Sequence, residues 1–444
     1  MRSNLAIGLR ILLGRAPELL HTLPRDCYTK DIISVPIGRR PVFIVNHPET
    51  IRRIFVEDRE AYPKSDLMVS TLAPLLGEGV LVSGGERWEH DRKMLEPAFM
   101  QMRLQALFPK MREAVDDWLC RLHALPSGAV IELESELSRV TADVMFRVLF
   151  SQAINGEDAS KVFNAFGSFQ RHSPQFDLRV VLDSDPLRPL PQAAELQLEA
   201  RQIRGLLEQL LDQRLMRLAQ GEHFIDFAQA VIDARDADGH AFKREQMIDQ
   251  LAVFFLAGHE TTASALGWTF FLLSQQPAWW QRLREEMDSH LGEAAFEFAD
   301  FKRLSVVRQV FRESLRLYPP VAFLTRRASR DDRFGKLRVP KHSFIVVSPW
   351  LVHRHHAHWP HPDRFDPSRF DEEASLPGTG TYLPFGLGPR ACTGAMVAQL
   401  EASLILCEAG RRFDFVPVAP EKVQPVTHVS VRIEGGLPVK IHAR

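Results

Sequence analysis

The sequence predicts a mainly α-helical fold with small β-sheets, a single large helical domain over residues 1–444 with a minor β-rich region. Three observations carry the prediction. Helical patterns dominate the chain from Glu86 onward. The stretch Met247 to Gln276 stays apolar for far longer than a strand runs. Short alternating segments, the mark of half-buried strands, lie near the two ends of the sequence.

Taken in order, Leu5 to Leu13 is apolar but interrupted by Arg10 and has no small-residue cleavage site after it. A spanning helix needs ~20 apolar residues, so an amphipathic helix packed on the body is expected. Ile32–Ile37 and Val42–Val45, separated by Gly38-Arg39-Arg40, predict a hairpin, and His47-Pro48-Glu49-Thr50 then opens a helix. Pro126-Ser127-Gly128 breaks a later helix. Ser173 to Gln192, with Pro174, Pro186, Pro189 and Pro191, predicts a mobile loop; the apolar residues threaded through it (Phe176, Leu178, Val180, Val181, Leu182) argue against a domain linker. Asp236 to Gly239 reads as a polar turn.

Gly258-His259-Glu260-Thr261-Thr262 sits in the middle of Met247–Gln276, which Pro277 ends. Ionisable groups are costly in lipid. A long helix through the core of a soluble protein is therefore expected, with a functional reason for its polar break. A further helix runs from Leu304 to Tyr318-Pro319-Pro320, Phe344–Val347 reads as a strand, and a last helix spans about Ala395 to Gly410.

With 45% hydrophobic and 25% charged residues the chain can bury a sizeable core, and a net charge of -1 gives no sign of nucleic-acid binding. Its four cysteines (Cys27, Cys120, Cys392, Cys407) are widely separated and form no CxxC pair. That disfavours a zinc ribbon or disulfide framework and suits a reducing, cytoplasmic setting.

One cysteine stands apart. In Phe385-Gly386-Leu387-Gly388-Pro389-Arg390-Ala391-Cys392-Thr393-Gly394 a glycine-rich loop delivers Cys392 to the start of a helix. The glycines allow close approach of a flat cofactor, and the helix start favours thiolate over thiol. Ala257-Gly258-His259-Glu260-Thr261-Thr262 has two readings of its own: a kink whose threonines bond back to the previous turn, or a proton relay through Thr261 and Glu260 in which Gly258 makes room for a small ligand. Glu313 and Arg316, at i and i+3, read alone as a surface ion pair. The irregular run His353, His355, His356, His358 and His361 matches no zinc spacing and reads as a partly exposed meander.

The cysteine loop is similar to that of the cytochrome P-450 family, matching Phe-x-x-Gly-x-Arg-x-Cys-x-Gly at every fixed position. The resemblance extends from Trp88 onward and implies the cytochrome P-450 fold of a soluble bacterial-type member. It implies haem b with Cys392 as axial thiolate, which favours O–O cleavage, with Phe385, Gly386, Arg390 and Gly394 around it. Glu313, Arg316 and Arg369 (in Pro367-Ser368-Arg369-Phe370) would form a buried structural cluster. Glu260 and Thr261 would relay protons to dioxygen. Trp88, Arg92, Arg390 and Arg326, or its neighbour Arg327, would hold the propionates.

The same resemblance places the pocket wall at the loop Met68–Val82, Phe176–Leu182, Val253, Phe254, Ala257, Val321–Leu324 and Val429, mostly apolar residues suited to a terpenoid, fatty-acid-like or similar substrate. With no flavin or iron–sulfur segment in the chain, electrons are expected from a separate partner. A ferredoxin with its reductase is expected, docking near Lys93 on a monomeric enzyme. Two other classes stay open: a haem protein that binds a gas without turnover, leaving Glu260 and Thr261 idle, and an isomerase or peroxygenase on the same fold, whose members typically lack the acid–threonine pair.

Overall fold

The two alternating segments pair as predicted: β1 (Ile32–Ile37) and β2 (Arg40–Val45) run antiparallel, Ile33 opposite Ile44 and Val35 opposite Val42. All four side chains are buried. This is a computed structural model, which describes residues 20, 23–37, 40–172, 194–374, 377–427 and 429–444. The expected helix over Leu5–Leu13 and the proline-broken stretch Ser173–Gln192 lie outside the described residues.

After β2 the chain enters α1 (Pro48–Arg52), α2 (Asp66–Leu76), α3 (Gly85–Leu95) and α4 (Gln101–His123). A short strand, β3 (Ala129–Glu132), precedes α5 (Leu133–Phe150), α6 (Glu157–His172), α7 (Ala194–Ala219) and α8 (Phe227–Asp233). The central helix α9 (Arg244–Ser274) is followed by α10 (Pro277–Leu291) and α11 (Ser305–Leu317). Strands β4 (Leu324–Arg327), β5 (Asp332–Phe334), β6 (Leu337–Val339) and β7 (Phe344–Val347) lead to α12 (Pro349–Val352) and, after a long meander, α13 (Ala395–Arg412). The chain closes with β8 (Phe413–Pro417), β9 (Pro425–Thr427), β10 (Val431–Ile433) and β11 (Pro438–Ala443).

The strands are less confined to the ends than the sequence suggests. β2 lies parallel to β7, which pairs antiparallel with β4. β3, which lies just after the expected break at Pro126–Gly128, joins β11, and β11 joins β8. The β2–β7 and β3–β11 pairings bring together residues far apart in the chain, which alternation alone cannot match up. The expected loop over Met68–Val82 is also corrected: most of it belongs to α2, which ends at Gly77 with φ +53.

α9 is buried along nearly its whole length and packs on α5, α11 and α13. An all-round apolar helix of this kind is a core element. No helix among the described residues is long and apolar enough to cross a membrane. In the middle of α9 three positions interrupt the burial: Ala257 is exposed, and Gly258 and Thr261 are half-buried. They share one face of the helix. Free surface on one face, in the middle of a core helix, marks an internal hollow.

Candidate active site

Cys392 is carried by the loop leading into α13. Its N–H donates to Phe385 O (2.8 Å), closing the loop on itself. Gly386 and Gly388 take φ +75 and +72, where a side chain is strained. A Cβ on Gly388 would also stand 2.6 Å from Phe55 O. Gly394 caps α13. Burial pushes the Cys392 thiol up, while the Gly394 N–H and the Arg92 guanidinium draw it down. Cys392 nevertheless keeps free surface. A side chain that is desolvated yet uncovered lines a hollow inside the protein.

Four basic side chains gather beside this loop. Arg92 Nη1 donates to Ala391 O (3.1 Å), Arg390 Nη1 to Ser83 O (3.2 Å) and Arg326 Nη1 to Thr325 O (2.8 Å). Lys64 Nζ donates to the carbonyls of Val80, Leu81 and Ser83. The Arg390 guanidinium lies 4.1 Å over the buried Trp88 ring, and Arg326 lies 4.4 Å over Phe55. Arg326, the inner of the two adjacent arginines, pairs with Lys64 in a β-bridge. Among the described residues none of these four basic side chains makes an ion pair within 4 Å, although Glu96 bears on Arg92 and Glu60 and Glu89 bear on Arg390. Desolvation, then Arg390 and Arg326, pushes Lys64 down to about 6; desolvation, then Arg390, brings Arg326 to about 10. The set is a cradle of unbalanced positive charge. Anions are what it fits.

The meander before the loop is held from its centre. Glu313 and Arg316 are fully buried and bidentate, at 2.7 and 2.8 Å. Arg316 also donates to the carbonyls of His353, Pro362 and Arg364, and Arg369 Nε stands 3.4 Å from Glu313. The pair that sequence spacing alone would leave on the surface is thus a core anchor. The histidine run lies on a partly exposed meander, as expected, with His356 and His361 exposed and His358 half-buried. Two of its members, His353 and His355, are buried. His353 accepts from Leu383 N–H at Nε2 (2.6 Å) and its Nδ1 lies 3.1 Å from Arg316 O, which ties the anchor to the strand-like entry of the cysteine loop. The rings of His355 and His358 stack at 4.8 Å.

On α9 the threonines bond back, as one of the two readings of the segment has it, while Gly258 departs from the room-making role of the other. Gly258 does not clear space in the hollow: a Cβ there would lie 2.5 Å from Met145 Sδ on α5. The glycine makes room for the Met145 side chain of α5. Thr261 and Thr262 both bond back, to Ala257 O (2.8 Å) and Gly258 O (3.1 Å). Thr141 of α5 donates to His259 O (3.1 Å). The buried carboxylate of Glu260 is engaged on β10 and its approach, by Ser430 Oγ (2.7 Å) and by Arg432 Nη1 at 3.0 Å from each oxygen. Burial would raise Glu260, but Arg432, His259 and Ser430 together hold it below the usual carboxylate value.

Of the pocket positions, Val253 and Phe254 lie one turn before Ala257; both are buried, and the Phe254 ring also meets Phe99 and Phe227. Val321 and Val429 are half-buried. Sequence reasoning missed Lys64, Arg432, Ser430 and Glu134, none of which stands in a recognisable motif. It also missed Glu401, buried on α13 beside Thr262, whose carboxyl desolvation drives well above its usual range.

A family model described as cytochrome P450 matches residues 5–438. Cyclooctatin synthase of Streptomyces melanosporofaciens is 30% identical over 438 residues, covering 96% of this chain and 91% of its own. Pentalenene oxygenase of Streptomyces avermitilis is 28% identical over 417 residues, covering 93% and 90%. Among solved structures, cyanobacterial CYP120A1 with retinoic acid bound superposes with a TM-score of 0.80 at 25% identity, covering 93% of this chain and 92% of that one. With a matching fold, a cysteine loop opening on an internal hollow and the family model spanning nearly the whole sequence, the chain belongs to the cytochrome P450 family of haem-thiolate monooxygenases.

Proposed function

We propose that this enzyme inserts one oxygen atom from O₂ into a terpenoid or similarly apolar small molecule, with Cys392 as the residue whose thiolate would hold haem b. The observation that carries the reading is the pair of free surfaces inside the protein, at Cys392 on one side and at Ala257 and Thr261 on the other. The residues fit the group. Its two propionates supply the anions that Lys64, Arg92, Arg326 and Arg390 lack, and Gly386 and Gly388 keep Cβ atoms out of the way. When bound, the haem supplies two-electron activation of O₂.

The chain's own part is to hold the thiolate, exclude water and manage protons. Burial raises the Cys392 thiol, and the Gly394 N–H, Arg92 and the start of α13 work against that rise in favour of the thiolate. Thr261 presents a hydroxyl on the face of α9 that borders the hollow, and Glu260, the adjacent acid, exchanges protons with it through water. Val253, Phe254, Ala257, Val321 and Val429 supply apolar contact that orients substrate by burial. The names of the relatives, for cyclooctatin and pentalenene, and the retinoic acid of the structural neighbour support a mostly hydrocarbon substrate. The two electrons come from a ferredoxin with its reductase, docking near exposed Lys93 on α3. The enzyme works as a cytoplasmic monomer.

The test is spectroscopic. Cys392→Ser is expected to abolish the thiolate-type carbon monoxide band and with it oxygenation; a variant that keeps the band has its iron on another residue. Screening terpenoids and fatty acids for the absorption shift that follows loss of iron-bound water then ranks substrates. A screen in which only polar compounds shift the spectrum sinks the substrate reading.

A further inference from the structure

Arg432 stands between two carboxylates that come from different helices. Its Nη1 donates to both oxygens of Glu260 on α9, and its Nε donates to Glu134 Oε1 on α5 (3.2 Å). Glu134 also accepts from Ile433 N–H (3.2 Å). Two further bonds clamp β10 to α9: Ser264 Oγ (2.7 Å) and Trp268 Nε1 (2.9 Å) both donate to Val431 O. Glu134 and Glu260 are buried. With both ionised, two anions share one cation away from water, and unbalanced buried charge is expensive.

A proton on Glu134 relieves the imbalance. Burial raises that carboxyl to about 7, against the pull of Arg432 and the Ile433 N–H, with Glu132 and Glu260 adding to the rise. The charged groups around it are therefore Arg432 from β10, Glu260 from α9 and Glu132 from β3, while His259 acts on Glu260.

We propose that Arg432 is a positioning residue for the relay acid, dividing its guanidinium between Glu260 and Glu134 so that the proton on Glu134 decides how tightly Glu260 is held. This rests on the reading of Glu260 and Thr261 as the proton relay. While Glu134 is protonated, Arg432 belongs to Glu260 and keeps it ionised and locked. When Glu134 gives its proton to water, the guanidinium is shared. Glu260 then binds a proton more readily and can pass it toward Thr261. Ser430, the other donor to Glu260, adjoins Val429 at the pocket wall, so the same cluster meets the turn on which substrate would press.

The experiment is an infrared pH titration of the protonated-carboxyl band in the full-length, haem-loaded enzyme. Wild type is expected to lose a band near pH 7, and Glu134→Gln to lack it. In Glu260→Gln the same band is expected to titrate at least about one pH unit lower, because Arg432 then serves Glu134 alone. An unmoved midpoint in Glu260→Gln, or a band that survives Glu134→Gln, overturns the proposal.

Stability gives a second readout. The folded protein holds a proton on Glu134 that the unfolded chain releases at an ordinary 4.5. The associated stability is present below that value and is lost as pH rises toward about 7. Glu134→Gln should flatten this slope; an unchanged slope counts against Glu134 as the titrating group. Failure of the underlying relay reading looks different. With retinoic acid as probe substrate, it would show as wild-type peroxide release per electron pair in Glu260→Gln, whatever the infrared titration does.

Discussion

The two faces of the site are built on opposite plans. On the cysteine side, the residues that shape the ligand loop lie within ten positions of one another, and the loop closes through its own Cys392-to-Phe385 hydrogen bond. On the α9 side, each functional group takes its geometry from somewhere else. Glu260 is held from 172 residues away by Arg432, and Gly258 is explained by Met145 on another helix. A site that carries its own backbone geometry announces itself in sequence. One that borrows its partners does not. Perturbing the first should therefore cause losses that no second substitution repairs, whereas perturbing the second should be repairable at the borrowed partner.

The largest effect on folding is expected at the anchor behind the cysteine loop. Glu313→Gln keeps the shape but leaves Arg316 fully buried with no counter-charge, an error that costs about 3–5 kcal/mol. We expect protein that is poorly soluble or haem-free, with a denaturation midpoint far below wild type. Arg369→Lys should be milder, since Arg369 stands 3.4 Å from Glu313 and Arg316 keeps its bidentate partner. A Glu313→Gln enzyme of wild-type stability would remove the anchor's claimed role.

An intermediate effect tests the borrowed side. Gly258→Ala puts a methyl 2.5 Å from Met145 Sδ, and overpacking of this sort costs about 1–3 kcal/mol. Met145→Ala opens the space that the methyl needs, so the double variant should recover much of the stability lost by Gly258→Ala, a coupling measurable as a double-mutant cycle. If the glycine served the hollow instead, Met145→Ala would give no rescue.

The same contrast explains what was legible in the sequence. Helices of length and strong period, such as α9, α11 and α13, are read within a few residues of their ends, because helical spacing is a local property. β3 and the partnership of β2 with β7 are not, since pairing is decided between distant segments. The buried state of Glu313 and Arg316 was legible only through family resemblance: an i, i+3 pair has the same spacing in the core as on the surface. For Arg432, nothing in Val431-Arg432-Ile433 distinguishes a strand arginine facing solvent from one wedged between two carboxylates.

Lys64 gives the smallest and most discriminating effect, because it belongs to the cysteine-side cradle yet was invisible in sequence. Its ammonium already donates to three carbonyls, so a purely structural role would be complete without any cofactor. Desolvation and the neighbouring Arg390 and Arg326 hold it down to about 6, close to neutral charge at physiological pH. A propionate within reach would reverse that, since an opposite charge favours the ammonium form. Lys64→Met should then speed haem loss to a scavenging apoprotein severalfold and lower the reduction potential, because removing a cation disfavours the added electron. Both changes should fade as pH rises and the wild-type lysine itself loses its charge. If Lys64 merely ties carbonyls together, thermal stability falls while the potential and its pH dependence stay put. That outcome would leave Arg92, Arg326 and Arg390 as the whole cradle.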